Sequence, residues 1–298
     1  ACLICNKQPS LEYPQMALDI LKKYYNENFM FFTESDRSRV WDILQYNKHI
    51  LFSLKDDTKA VKELYDYCLF SKSLLLTTST NFGKAITASG NKDIIAKYNH
   101  LKELKQQENS PNPNTKQQPA SEVAKLEREI TSMLKHDSCF VRNFNYTFAD
   151  VATSLNKNEV AIEFVDYQKL KNDKTEYVAL VMRKGWKEPK LIPLFEEAEI
   201  KEFLKRPQSE IYSNSYVGKR LYEVIWGPIS KCVRRGDTVY FSPSGQLYTL
   251  AIEALSTSSG EPLLQLYNMI RVSSTREVCV SKSNKTTQNA VIYGGLEY

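Results

Sequence analysis

Asn158-Glu159-Val160-Ala161-Ile162-Glu163-Phe164-Val165 is the stretch on which the reading of this 298-residue chain turns. Val160, Ile162 and Phe164 alternate with Ala161, Glu163 and Val165, which is the period of a strand. Everything upstream follows the helical period instead. The boundary between the two regimes falls near Thr147, whose spacing to Asp150 resembles a capping box and opens a short helix ending near Leu155. The chain therefore divides into a helical region, residues 1–146, and an α/β region, residues 147–298.

Downstream of the deciding stretch, residues 177–182 and 190–194 read as strands and 198–204 as a helix. Residues 216–233 are helical, with Gly227-Pro228 kinking or dividing them. Thr238-Val239-Tyr240-Phe241 is a buried-type strand that enters the turn Ser242-Pro243-Ser244-Gly245. Residues 267–272 form a further strand. Ser274 or Thr275 then caps a helix through Val280, and Ala290-Val291-Ile292-Tyr293 runs as a strand into Gly294-Gly295. Strands alternating with helices predict a largely parallel sheet flanked by helices, with chemistry beyond the carboxyl ends of its strands. Those ends are residues 242–245, 273–275 and 294–295.

Upstream, Tyr13, Met16, Ala17, Ile20, Leu21 and Tyr24 mark one face of a helix. Thr33 with Asp36 opens the next helix, carrying Val40, Trp41 and Leu44. Val61, Leu64, Tyr65, Cys68 and Leu69 repeat the spacing, and Leu75 and Leu76 continue it. Ile94, Ile95, Tyr98 and Leu101 mark another helix. Such paired helices need neighbours on both sides, which places one upstream of the first helix. Residues 106–120 hold three prolines and no large apolar side chain, so they read as a mobile loop. Val123, Leu126, Ile130 and Met133 follow on a charged helix that the loop joins to its antiparallel neighbour.

Hydrophobic residues make up 42% and charged residues 25%, so a sizeable core is possible. No apolar run is long enough for a membrane helix, and the first residues show no signal peptide. The net charge of +5 is spread along the chain, which argues against a nucleic-acid partner; such a partner would betray itself by steeply salt-dependent binding. Six cysteines, at 2, 5, 68, 139, 232 and 279, do not form a disulfide framework, and a reducing, cytoplasmic setting is expected. Cys68 and Cys279 fall in apolar periodic segments and read as core. Cys2 and Cys5 lack a second half for a zinc site; only His136 and Cys139 could supply one, far along the chain. No metal and no cofactor is expected.

Nucleophilic chemistry requires a base beside the nucleophile. His49, His100 and His136 all belong to the helical region. Cys232, near Arg234 and Arg235, has no histidine nearby in sequence. Ser132 and Lys135 stand at Ser-x-x-Lys spacing on a solvated helix, and Gly218-Lys219 lacks the rest of a P-loop. Glu163 is the most unusual carboxylate: a charge inside an apolar strand, expected to be half buried and paired, with no catalytic partner in view.

A resemblance supplies what the residues alone do not. Five segments stand in order: residues 158–164; Leu221-Tyr222-Glu223-Val224-Ile225-Trp226-Gly227-Pro228; Tyr240-Phe241-Ser242-Pro243-Ser244-Gly245; Arg271-Val272-Ser273-Ser274-Thr275-Arg276-Glu277; and Tyr293-Gly294-Gly295-Leu296-Glu297-Tyr298. Together they resemble the opening of a CHAT domain, the caspase-like domain often found after tetratricopeptide repeats. Tyr13-Pro14-Gln15-Met16-Ala17 resembles the tail of a last repeat, and residues 64–76, with Ser71-Lys72, resemble the helical connector before many CHAT domains.

The resemblance implies a caspase-like α/β sandwich and cysteine endopeptidase chemistry on a protein partner that the repeats recruit. It places the histidine and cysteine downstream of Tyr298, so no catalytic residue is expected within the chain, which reads as an inactive N-terminal portion of a longer protein. Ser242, Ser244, Gly245, Ser274, Arg276, Gly294 and Gly295 are implied as supporting residues at the sheet edge, with Arg276 pairing an acidic group in the core. The competing expectation is a non-enzymatic helical-repeat scaffold with a degenerate caspase-like domain that binds other proteins.

Overall fold

The computed structural model describes residues 11–28, 32–72, 74–108, 119–134, 145–169, 172, 174–213 and 216–280. Helices α1 (Glu12–Asn28), α2 (Glu34–Phe52), α3 (Thr58–Ser71), α4 (Leu74–Ala88), α5 (Lys92–Glu108), α6 (Pro119–Leu134) and α7 (Phe148–Ser154) precede the first strand. Strands β1 (Glu159–Gln168), β2 (Thr175–Arg183) and β3 (Lys190–Glu196) follow, then short helices α8 (Glu197–Lys201) and α9 (Gln208–Ile211), and α10 (Tyr216–Ile225). Strand β4 (Thr238–Ser242), helix α11 (Leu263–Leu266), strand β5 (Asn268–Arg271) and a 3₁₀ turn at Thr275–Cys279 end the described chain. This is an α/β architecture behind a helical region.

Among the described residues, five strands lie in the order β3-β2-β1-β4-β5. β1 pairs β4, and β4 pairs β5, in parallel. β1–β2 and β2–β3 are antiparallel, so the sheet is mixed where the alternation of strands and helices had suggested a largely parallel one. Linker length is the reason: residues 169–174 and 184–189 are too few for a crossover, whereas the segment from β3 to β4 contains α8 to α10.

Each face of β1 meets a separate core. Val160, Ile162 and Phe164 pack with Leu221, Trp226, Phe241 and Ile252 on the side of α8 to α11. Ala161, Val165 and Tyr167 pack with Leu18, Leu44, Leu64 and Phe70 of the helical region. This explains the unbroken apolar run in β1. A smaller core joins Ile94 and Leu101 of α5 to Ile130 and Leu134 of α6. Lys105 and Glu127 bridge the same two helices at 2.7 Å.

Two helical expectations change. In α1 the anticipated core stripe faces outward: Tyr13 is 61%, Met16 48%, Ile20 61% and Tyr24 50% exposed. Pro14, Leu18 and Tyr25 are buried instead. The helix has two apolar faces, and the one carrying Tyr25, whose ring packs edge-on to Phe32 and Phe70, is the one the core takes. The apolar helix running from Leu64 also stops before Leu75. α3 ends at Ser71, Lys72 is extended at ψ 133°, and α4 begins at Leu74. The strand expected at 290–293 lies outside the described residues, as do Gly294, Gly295, Cys2, Cys5, Lys135, His136, Cys139 and most of the 106–120 loop.

Candidate functional site

β4 stops at Ser242, opposite Glu163, while β1 continues to Gln168. Among the described residues, the second half of β1 therefore has one edge with no neighbouring strand, just past the carboxyl end of β4. Backbone groups at such an edge need partners. Side chains supply them at alternate residues, as the pleat requires. Phe164 O accepts from Lys72 Nζ at 2.7 Å. Asp166 N donates to Ser244 Oγ at 2.8 Å, and Gln168 N donates to His49 Nδ1 at 3.0 Å.

Lys72 is the centre of this arrangement. Its position at the break between α3 and α4 lets the side chain leave the helical region and enter the sheet edge. The three N–H groups of Nζ are shared among Phe164 O, Ser242 O at 2.9 Å, Ser242 Oγ at 3.0 Å and Pro243 O at 3.3 Å. It also lies 2.7 Å from Glu163 Oε2. That contact falls outside hydrogen-bond geometry, so it acts as a charge pair. Glu163 has no exposed side-chain surface. Its other oxygen, Oε1, accepts from Thr275 N at 2.6 Å, Thr275 Oγ1 at 2.7 Å and Ser274 Oγ at 3.2 Å. Tyr65 Oη meets Thr275 Oγ1 at 3.0 Å. Burial and the Glu163 charge push the Tyr65 phenol well above its ordinary range.

Glu163 is thus wholly buried and held from two sides, a tighter environment than the half-buried one expected. Removing one partner of such a pair costs about 3–5 kcal/mol, because the other charge is left without compensation.

A second network surrounds the turn after β4. Ser244 Oγ also donates to Asp166 Oδ1, and Lys48 Nζ lies 3.3 Å from Asp166 Oδ2. Burial raises the Asp166 carboxyl, but Lys48 and Ser244 outweigh it and hold the group below its usual range. His49 is lowered, by burial first and by the Lys48 charge second, against an opposing pull from Asp166. Gln246 N donates to Tyr177 Oη at 2.8 Å. Gly245 has φ +52°, and a Cβ there would stand 2.3 Å from Tyr177 Oη. Only glycine fits that left-handed position against the phenol.

The expected supporting residues accordingly separate into two groups. Ser242 and Ser274 meet at Glu163 and Lys72; Ser244 and Gly245 meet at Asp166 and Tyr177. Ser274 also caps the 3₁₀ turn by accepting from Arg276 N. Arg276 Nη1 donates to Leu69 O at 2.9 Å and Phe70 O at 3.4 Å, carbonyls in the last turn of α3.

Ser242 Oγ and Lys72 Nζ stand at the separation of a serine–lysine pair, yet the chemistry of one does not follow. Ser242 is fully buried and donates its proton to Ser273 O at 3.0 Å. The lysine nitrogen faces acceptors on all sides and acts as a donor only. Cys68 lies in the same core, and burial raises its thiol far above the reactive range. Among the described residues, no group of three or more His, Cys, Asp or Glu side chains is placed to hold a metal ion, and no helix is long and apolar enough to cross a membrane.

Sequence reasoning missed Lys72, Tyr65, Lys48, His49, Asp166 and Tyr177 as members of one site. Two signals were present: a carboxylate in an apolar strand requires a cation, and Lys72 interrupts an apolar helical run. Neither says that the two residues meet. No family model matches the chain, and no curated protein matches it either.

Proposed function

We propose that this chain is the N-terminal portion of a CHAT-type, caspase-like protein whose whole form is a cysteine endopeptidase, and that the portion itself is inactive. In that role the helical region receives a protein partner, and the sheet carries the catalytic strands that follow Tyr298. The ordered motifs support the assignment. The observation that carries it is the Lys72–Glu163 contact, which fixes the helical region to the carboxyl edge of β1 and β4, the side of an α/β sheet where catalytic groups gather.

The test begins with the coding sequence beyond Tyr298. A strand-end His-Gly and a later strand-end cysteine are expected within about two hundred residues, in keeping with ordinary domain size. The extended protein is then incubated with a cell extract and new N-termini are mapped. Cleavage that disappears on cysteine-to-alanine replacement supports the reading; absence of the His/Cys pair ends it.

The second reading, a non-enzymatic scaffold with a degenerate caspase-like domain, has its own support. Ser242, Ser244, Ser274 and Thr275 at the sheet edge are all engaged in internal bonds. That reading expects partner capture by the extended protein with no cleavage.

A further inference from the structure

Lys72 ends in a cage of five oxygens: Glu163 Oε2, the carbonyls of Phe164, Ser242 and Pro243, and Ser242 Oγ, at 2.7 to 3.3 Å from Nζ. Proteins use rings of backbone carbonyls to replace the hydration shell of a potassium ion. An ammonium group is close to potassium in size and charge.

The walls of this cage do not depend on the lysine. The carbonyls of Phe164 and Ser242 belong to strands β1 and β4, and Pro243 directly follows β4. Glu163 is anchored from its far side by Thr275 and Ser274. The cation, in contrast, arrives on a stem from the helical region and is only 11% exposed.

We propose that residues Glu163, Phe164, Ser242 and Pro243 form a monovalent-cation site that the helical region fills with its own ammonium, and that filling it locks that region to the sheet edge. Withdrawing the arm at the α3–α4 junction empties the site. It then leaves the buried Glu163 carboxylate without its counter-charge and the carbonyls of Phe164, Ser242 and Pro243 without the ammonium donor, a costly state that a free cation of matching size relieves. The inference does not depend on the peptidase reading, because occupancy is measured on this chain alone.

The experiment compares thermal unfolding of the whole chain in potassium, ammonium and choline chloride at one ionic strength. Lys72→Ala is expected to melt on the order of 10 °C below the parent in choline, which is too large to enter the cage. Potassium or ammonium should recover part of that loss, and the parent should not distinguish the salts. Lys72→Met fills the space without a charge, so its loss should not respond to the cation. Combining Glu163→Gln with Lys72→Ala should abolish the recovery.

Hydrogen exchange supplies the second readout. Amides at Asp166 and 244–247 should open in Lys72→Ala and close again in potassium, while Val181, on the far side of the sheet, stays protected. The proposal is overturned if Lys72→Ala melts like the parent, if its melting is the same in potassium and choline, or if exchange rises uniformly. Failure of Lys72→Ala to fold in all three salts also counts against it, because a refilled cage should restore the fold.

Discussion

Asp66 shows how one carboxyl group can set the pH response of a junction. It is buried on α3, and its Oδ1 accepts from Phe148 N at 2.6 Å, at the start of α7. Burial raises its pKa to about 7; the Phe148 bond and Lys22 pull the other way, while Glu63 and Asp150 add to the rise. The folded chain therefore binds this proton more tightly than the unfolded chain does. The sign follows: stability is greatest where Asp66 is protonated and falls as pH rises from about 4 to about 7. Asp66→Asn keeps an oxygen acceptor for Phe148 N and removes the charge. It should stabilise the protein at pH 8 by on the order of 2–4 kcal/mol and flatten the melting temperature between about pH 4 and pH 7. Equal pH slopes for the two proteins would refute this. The acidic side chain can be seen in the sequence, but its burial cannot, because it depends on Phe148 arriving from residues far along the chain.

At the scale of elements, most of the periodic segments became the structures their spacing implied. β1, β2, β4 and the capped helices α2 and α7 needed only local information: alternation in the strands, and Thr33/Asp36 and Thr147/Asp150 at the caps. The choice of face on α1 was not local. Tyr13, Met16, Ile20 and Tyr24 form as regular a stripe as Pro14, Leu18 and Tyr25; Phe32 touches both Tyr24 and Tyr25, and it is packing against the core at Phe70 that selects the face of Tyr25. Substitution on each face gives the check. Leu18→Ala should cost about 2–4 kcal/mol by opening a cavity, whereas Ile20→Lys should stay within about 0.5 kcal/mol of the parent. Denaturant unfolding of both variants measures the difference; comparable losses would mean that the outward stripe is also part of the core. The Lys72–Glu163 contact was hidden for the same reason. A break in a helix and a charge in a strand are each visible locally, and their meeting is a tertiary fact.

For the molecule as a whole, the core matters more than the boundary near residue 147. Ala161, Val165, Tyr167, Val178, Leu180 and Met182 on one face of the sheet share a core with Leu18, Leu44, Leu64 and Phe70 of α1 to α3. Lys72 and Arg276 add polar ties across the same junction, one from each side. A sheet freed of these helices would present a broad apolar surface of several hundred Å² along with an uncompensated Glu163. Residues 147–298 expressed alone should therefore aggregate or fail to unfold cooperatively. Supplying residues 1–146 as a separate chain in the same cell should restore solubility and yield a complex of the two pieces. Size-exclusion chromatography and a melting curve distinguish the outcomes. If residues 147–298 alone behave as a soluble monomer with a sharp transition, the helical layer is not required to complete the sheet, and the tie at Lys72 then holds together two units that fold separately.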